Sequence, residues 1–301
     1  METLDAKELR MFMAVARIGS IRGAAEHVHV APSVVSRQIA ETERKIGLSL
    51  FERNARGVAL TEAGELVLEH TRRMLEEHSL LTEQLGFLKG VQQKRVRILC
   101  GEGFLADVLQ YGLGSFVKVY PDVQYDMQLG GTESVLDGIA NGDADIGIAY
   151  NPLVDVRVRS IAISKQPLCL VASPEHPLLT KDRLELADCS GLPNALLGPG
   201  HGITRLVTRV AADRGFAISP VVETTSIDVL RRFVIAGLGI TFLPRFAVST
   251  ELARGAVAIR ELSDPLLAEA SAHLMVRARR RLPLSVERLS GFLANNMAAF
   301  R

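Results

Sequence analysis

The stretch from Ser20 to Ala40, read as SIRGAAEHVHVAPSVVSRQIA, constrains the fold of this chain more than any other segment. Its first half predicts a short helix with one apolar stripe, formed by Ile21, Ala24, Ala25 and Val28. Ser20 stands just before that stripe, where its hydroxyl can cap the free N–H groups of the helix. After a short break at 29–31, Pro32 opens a second helix, since a proline sacrifices no hydrogen bond in a first helical turn.

The second helix has two different faces. One side carries an apolar row at helical spacing, made of Val35, Ile39 and Ile46. The opposite side carries Ser33, Arg37 and Arg44. Two helices that meet through apolar faces across a short turn predict a helix-turn-helix, with the second helix free to enter a DNA major groove.

The segments around this pair closely resemble the N-terminal domain of the LysR-type transcriptional regulators. The resemblance is carried by FMAVARIGS before the pair, VSRQIAETERKIGLSLFER within it and ARGVALTEAGELVL after it. The alternative is an ordinary helical hairpin, which would leave the simultaneous match of all three segments unexplained. One departure is that the family usually opens the recognition helix with Ser-Gln-Pro, whereas this chain has Ala31-Pro32-Ser33. Loss of the serine cap costs roughly 1 kcal/mol, and the base contact of the missing glutamine cannot be transferred.

A two-stranded wing is predicted at 48–60, with its tip at 54–57. Arg53 and Arg56 suit phosphate or minor-groove contacts there, although two such arginines could also simply solvate a loop. The residues predicted to bind DNA are Ser20, Pro32, Ser33, Val34, Ser36, Arg37, Gln38, Arg53 and Arg56.

A long helix follows the wing, with Thr61 as its cap. It carries a heptad seam made of Val67, Thr71, Met74, His78, Leu81, Leu85 and Leu88. Such a seam would be exposed apolar surface in a monomer, so we expect a dimer through this helix. The family resemblance implies a tetramer made of two dimers.

From Arg95 onward strands alternate with helices, which predicts mostly parallel sheets covered on both faces. Two such α/β subdomains joined by two crossovers resemble a periplasmic-binding-protein-like clamshell. The segments YPDVQYDMQLGG, NGDADIGIAY and VIAGLGITFLP match what the LysR-type family has at corresponding places. The predicted fold is therefore multidomain α/β, with a winged helix-turn-helix at 1–60, a linker and dimerisation helix at 61–91 and an effector-binding domain at 92–301. Within that domain, subdomain I covers about 94–164 and 268–301, and subdomain II about 165–267.

Motifs for other functions are missing from the chain. There is no Walker loop, HExxH, GxSxG or Rossmann fingerprint. The net charge is +1, so a nucleic-acid surface must be local, and no apolar run is long enough to span a bilayer. The three cysteines show no metal-ligand spacing and are interpreted as buried, reduced thiols. We expect no enzyme activity, no catalytic or metal-binding residues, no cofactor, no membrane contact, and a cytoplasmic location.

The predicted effector cleft lies where strands end and helices begin, between the subdomains. Glycines and hydroxyls at helix N-termini suit a polar or anionic ligand, although most such residues are simply turns and caps. The residues predicted to bind effector are Gly101, Glu102, Gly103, Phe104, Thr132, Asn151, Gly200, His201, Gly202, Thr204 and Thr225.

Glu102 stands out in this set, because the family often places serine or threonine near this point. Three roles remain open from the sequence. Its carboxylate could bind a hydroxyl or amine of the effector. It could pair across the cleft with His201 or Arg205 and help to close the clamshell. It could also merely complement the positive end of the Leu105 helix and point to water.

The sequence thus predicts a sequence-specific DNA-binding transcriptional regulator whose DNA binding or promoter activity is modulated by a small-molecule effector. Its expected partners are double-stranded promoter DNA, the effector, further copies of itself as a dimer or tetramer, and RNA polymerase. A solute-binding receptor is one alternative, opposed by the N-terminal DNA head and the absent signal peptide. An enzyme on the same α/β fold is another, opposed by the missing catalytic set.

Overall fold

The computed structural model describes residues 5–54, 57–88, 94–278 and 282–301. The chain forms two compact units, Met1–Leu88 and Lys89–Arg301. Within the described residues, no helix combines the length and the apolar character needed to cross a membrane.

The N-terminal unit has the predicted winged helix-turn-helix. Its elements are α1 (Ala6–Ile18), α2 (Ile21–His27), α3 (Pro32–Ile46), β1 (Phe51–Asn54), β2 (Gly57–Leu60) and α4 (Glu62–Leu88). The two wing strands pair antiparallel. The apolar stripes seen in the sequence form one core, which contains Phe12, Val15, Ala24, Ala25, Val35, Ile39, Leu50 and Leu68.

Caps at the helix ends fix this arrangement. The Gly23 N–H donates to the Ser20 hydroxyl at 3.3 Å, so Ser20 caps α2 as predicted. Ala31 makes no side-chain cap at the start of α3, because alanine has no hydroxyl to accept a hydrogen bond. Gly47 ends α3 with φ +80°, a left-handed conformation that glycine adopts without strain.

A buried carboxylate joins the first helix to the recognition helix. Glu8 forms a capping box with Asp5, in which each side chain accepts the other residue's backbone N–H. The second Glu8 oxygen accepts from Lys45 Nζ at 2.6 Å and from Gln38 Nε2 at 3.2 Å. Because Glu8 is only 2% exposed, these partners are needed to offset its desolvation, and they orient α3 against α1.

A second carboxylate, on α3, orients the wing. Glu43 Oε1 accepts the backbone N–H groups of Leu50 and Phe51 at 2.7 and 3.1 Å. The wing therefore starts at a fixed place relative to the recognition helix.

The seam of α4 divides into two parts. Its first residues belong to the N-terminal unit, because Thr71 is buried and Val67 packs half-buried against the core. The expectation that Val67 is exposed in a monomer is therefore wrong. Further along, Met74, Leu81 and Leu85 are 59%, 52% and 47% exposed.

Subdomain I is built on a five-stranded sheet. Its strands are β3 (Lys94–Cys100), β4 (Val123–Leu129), β5 (Ile146–Tyr150), β6 (Val158–Lys165) and β12 (Ser271–Arg277), in the order β4-β3-β5-β12-β6. The first three strands are parallel, and β12 runs antiparallel to both of its neighbours. The sequence prediction omitted β6, an edge strand whose exposed Arg159 and Lys165 limit its apolar run to three residues.

Subdomain II differs from the predicted parallel arrangement. Its strands are β7 (Leu168–Ala172), β8 (Ala195–Leu197), β9 (Val222–Thr224), β10 (Thr241–Pro244) and β11 (Ala258–Glu261). Central β7 runs antiparallel to β10 and β11, whereas β8 and β9 are parallel to each other. The strand β11 was also not predicted, because it lies at a sheet edge and half of its residues, Arg260 and Glu261, are charged.

Helices cover these sheets. They are α5 (Leu105–Asp107), α6 (Gly114–Val119), α7 (Thr132–Asn141), α8 (Gly202–Asp213), α9 (Ile227–Ile235), α10 (Ser249–Ala253), α11 (Pro265–Ala268) and α12 (Leu284–Asn296). A π-helical segment, Val108–Leu113, joins α5 to α6. Buried Asp107 accepts the N–H groups of Ala298 and Ala299, both at 2.8 Å, which fastens the C-terminal end of the chain. Burial raises the pKa of Asp107, and these two hydrogen bonds oppose that rise.

The exposed part of the α4 seam predicts that this helix pairs with its counterpart in a second copy. Leu81→Lys should raise the dissociation constant of self-association by about tenfold or more, because burying a leucine contributes roughly 1.5–3 kcal/mol. Sedimentation velocity at micromolar concentrations measures this change. Glu69→Lys, on another face of the same helix, is the control and should leave assembly unchanged. Equal association of Leu81→Lys and wild type would contradict the prediction.

Candidate functional site

The exposed face of α3 is the candidate DNA-reading surface. Ser33, Ser36 and Arg37 are exposed along it, while Val35 and Ile39 are buried beneath. Arg37 therefore presents a guanidinium on the side of the helix that faces away from the core. This is the geometry that base reading in a major groove requires.

Other residues predicted to contact DNA have local partners. Gln38 does not present its amide on the exposed face, because it donates to the buried Glu8 carboxylate instead. The Ser20 hydroxyl is occupied as the cap of α2. Val34 is half-buried and Pro32 is exposed. Arg53 lies on β1, and Arg56 falls outside the described residues.

A cleft of about 460 Å³ lies between the two subdomains. Its polar and glycine lining consists of Gly101, Glu102, Gly103, Gly130, Gly131, Thr132, His201, Gly202, Thr225 and Ser226. Its apolar and aromatic lining consists of Phe104, Leu129, Tyr150, Leu197, Ile203, Ile227, Pro244, Phe246 and Ala247. The volume is in the range of pockets that hold small organic molecules.

Most residues predicted to bind effector line this cleft, but three do not. The Thr204 hydroxyl donates to the Leu197 carbonyl at 2.6 Å, so it is committed to the backbone behind the wall. Asn151 and Gly200 also lie outside the lining.

Apart from Phe104, the apolar part of the lining was not predicted. It comes from the last residues of buried strands, such as Tyr150 and Pro244, and from Phe246 just beyond. These residues could have been predicted from the rule that ligands bind beyond the carboxyl ends of strands, if it had been applied to apolar as well as polar residues.

Glu102 reaches across the cleft to the N-terminus of α9. Its carboxylate accepts the Ile227 N–H at 2.6 Å, the Ser226 hydroxyl at 3.0 Å and the Asp228 N–H at 3.4 Å. Of the three roles left open by the sequence, the structure shows a contact across the cleft, but its partners are not the predicted His201 or Arg205. The His201 Nδ1 lies 3.1 Å from the Gly198 carbonyl, and Arg205 donates to the Asn151 carbonyl. The alternative of a carboxylate pointing to water does not hold.

A second set of polar contacts joins α7 to α8. The Gly202 N–H donates to the Thr132 hydroxyl at 2.9 Å, and the Glu133 N–H donates to the Gly200 carbonyl at 3.1 Å. The approach is close, since a Cβ atom at Gly202 would collide with the Tyr150 carbonyl oxygen. Only glycine fits there without a shift of the backbone.

An aromatic contact lies beside these hydrogen bonds. The rings of Phe104 and Phe246 stack with centroids 4.4 Å apart, and Tyr150 lies 6.3 Å from Phe246. Phe104 belongs to subdomain I and Phe246 to subdomain II, so this stack also joins the two walls.

Comparison with known families identifies both units. Residues 6–65 match the model for the bacterial regulatory helix-turn-helix protein of the lysR family, and residues 89–298 match the LysR substrate binding domain. The chain belongs to the LysR family of DNA-binding transcriptional regulators.

Curated relatives of this LysR-type regulator match it over most of their length. It is 28% identical to the HTH-type transcriptional regulator CfxR of Cupriavidus necator, over 100% of this chain and 94% of the relative. It is 29% identical to the RuBisCO operon transcriptional regulator of Allochromatium vinosum, over 83% and 82% of the two chains.

Solved structures show the same fold. Full-length OxyR from Pseudomonas aeruginosa has a TM-score of 0.69 and 22% identity, over 98% of this chain and 96% of that one. Full-length CbnR in complex with its target DNA has a TM-score of 0.52 and 19% identity, over 96% and 98%.

The three cysteines of this LysR-type regulator are buried and form no disulfide. Burial raises the pKa of Cys169 and of Cys189 to about 12 and also raises that of Cys100. Because the thiolate is the reactive form, such thiols are poor targets for oxidants. This agrees with their interpretation as reduced structural residues.

We predict that the native protein reacts very slowly with a thiol reagent. At pH 8 the thiolate fraction is about one in ten thousand for a thiol whose pKa is about 12. Absorbance with Ellman's reagent should show almost no release in buffer and release from all three cysteines in guanidinium chloride. Rapid stoichiometric reaction of one thiol in the folded protein would overturn this prediction.

Proposed function

We propose that this LysR-type regulator works as a homo-oligomer whose paired DNA heads respond to a small molecule held in the cleft. The single observation that carries the proposal is the cleft itself, whose two walls come from subdomains that the chain crosses between twice. We further propose a division of labour in which 1–60 read DNA, 61–91 pair and 92–301 sense the effector.

Pairing through α4 is the proposed means of assembly. The exposed Met74, Leu81 and Leu85 supply the apolar surface for it. A dimer would present two recognition helices, which matches the twofold repeat of many operator sites.

The proposed mechanism is a population shift. A ligand that contacts both walls binds the closed clamshell better than an open one, and it favours the closed form by that difference in affinity. A change in subunit arrangement would then alter the spacing of the paired DNA heads.

We infer that the chain acts by binding rather than by catalysis, and that it does so in the cytoplasm where promoter DNA is found. The curated relatives are named transcriptional regulators, which supports this inference. RNA polymerase is the proposed further partner at the promoter.

Arg37 is the residue proposed to read a base edge. Arg37→Ala should weaken binding to a specific fragment by about 1–3 kcal/mol, because a bidentate arginine contact is lost. Fluorescence anisotropy measures this, using a genomic fragment selected with the wild-type protein and a scrambled competitor.

Arg37→Lys is the matched variant for that measurement. It keeps the positive charge but not the planar fork, so non-specific affinity should persist while discrimination falls. Unchanged specific affinity in Arg37→Ala would show that another surface reads the DNA.

A further inference from the structure

The polar contacts at the Glu102 side of the cleft resemble a bound carboxylate. A helix N-terminus presents free N–H groups and a partial positive charge, which favour an anion. At α9 that position is filled by the Glu102 carboxylate, which accepts two backbone N–H groups and the Ser226 hydroxyl. The side chain comes from the opposite wall, so its position depends on the two subdomains being together.

We propose that Glu102 is an internal ligand that latches the cleft closed without effector and excludes effector carboxylates from the N-terminus of α9. This deepens the proposed function, since it rests on the cleft being the effector site. The latch is the set Glu102, Ser226 and Ile227.

Other contacts also join the two walls that the latch connects. Phe104, two residues after Glu102, stacks on Phe246 of the opposite wall. The Thr132–Gly202 hydrogen bond joins α7 to α8, and Arg205 donates to the Asn151 carbonyl. Release of the Glu102 carboxylate would remove the charge-assisted bonds at α9 and leave these contacts alone to hold the walls together.

The latch also limits the chemistry of the effector. No lysine or arginine is among the described residues that line the cleft. An anionic effector would meet the negative charge of Glu102 with no strong cation beside it, and like charges in a partly enclosed site repel strongly. The cleft therefore favours an uncharged or cationic molecule with an apolar body, suited to its lining of Leu129, Leu197, Ile203 and Phe246.

Hydrogen–deuterium exchange of the full-length protein tests the latch without effector or DNA. Glu102→Ala should quicken exchange about tenfold or more at 226–231, because the charge-assisted bonds to the Ile227 and Asp228 amides are lost and the first turn of α9 is left without its cap. It should also quicken exchange at 131–134 and 200–204, because opening exposes the second pair of helix ends. Asp137→Ala is the matched control, since it removes an exposed carboxylate of the same helix α7 that lies five residues beyond the cleft-lining Thr132.

Chemical rescue then tests the internal-ligand role. Acetate has the CH₂–COO⁻ atoms that the alanine variant lacks beyond Cβ. At 100 mM, acetate should restore slow exchange at both regions in Glu102→Ala, whereas uncharged acetamide should not, and neither should affect wild type.

The outcomes separate the possibilities clearly. Faster exchange confined to 226–228 would reduce Glu102 to a local cap and overturn the latch. Equal rescue by acetamide, or no rescue, would overturn the carboxylate mimicry. Circular dichroism that shows a folded variant keeps each result interpretable, and Glu102→Gln provides a second variant of nearly unchanged size. None of these experiments measures DNA binding, so failure of the latch would leave the proposed function as a regulator untouched.

Discussion

The return of β12 to the first sheet is the constraint on which the effector-binding unit depends. This strand enters between β5 and β6, after the chain has built the whole of subdomain II. The two subdomains are therefore joined by two crossovers rather than one. Hydrogen bonds fix both crossings, since Gln166 N–H donates to the Ala270 carbonyl and Tyr150 Oη donates to the Gln166 carbonyl. The cleft lies beside this double connection, where a small rotation changes the separation of the walls.

Carboxylates that accept backbone N–H groups recur at the joints of this protein. Glu43 fixes the wing, Asp107 fixes the C-terminal end, and Glu102 joins the cleft walls. In the first two cases both partners belong to the same unit or subdomain, so the bond is structural. In the third they belong to different subdomains, and on the proposed mechanism the same chemistry becomes conditional on conformation.

Much of the architecture could be predicted because it follows from local periodicity. The 3.6-residue stripes of α2 and α3, with Ser20 and Pro32 at their starts, needed no tertiary information. The strands β6 and β11 were not predicted because both lie at sheet edges and carry charged residues, so neither has the apolar run of a buried strand. The packing of Val67 and Thr71 within their own N-terminal unit was not predicted. Heptad spacing identifies an apolar face, but it does not say whether that face packs against the same chain or against a second copy.

The site was predictable as a region but not as a set of contacts. Beyond the strand ends, glycines and hydroxyls indicated the cleft correctly. The partner of Glu102 could not be deduced, because it depends on how subdomain II is rotated when the cleft is closed. That rotation is a tertiary quantity, and no spacing within 94–301 encodes it.

The close approach at Gly202 has a consequence for how such a regulator can be tuned. The backbones of Gly202 and Tyr150 are in direct contact at this point, so any side chain at Gly202 would push the two walls apart. On the proposed mechanism, a single methyl group at this residue resets the balance between open and closed forms by steric means, since its N–H is already bonded to Thr132. Such a change alters how readily the cleft closes while every polar side chain of the lining stays in place.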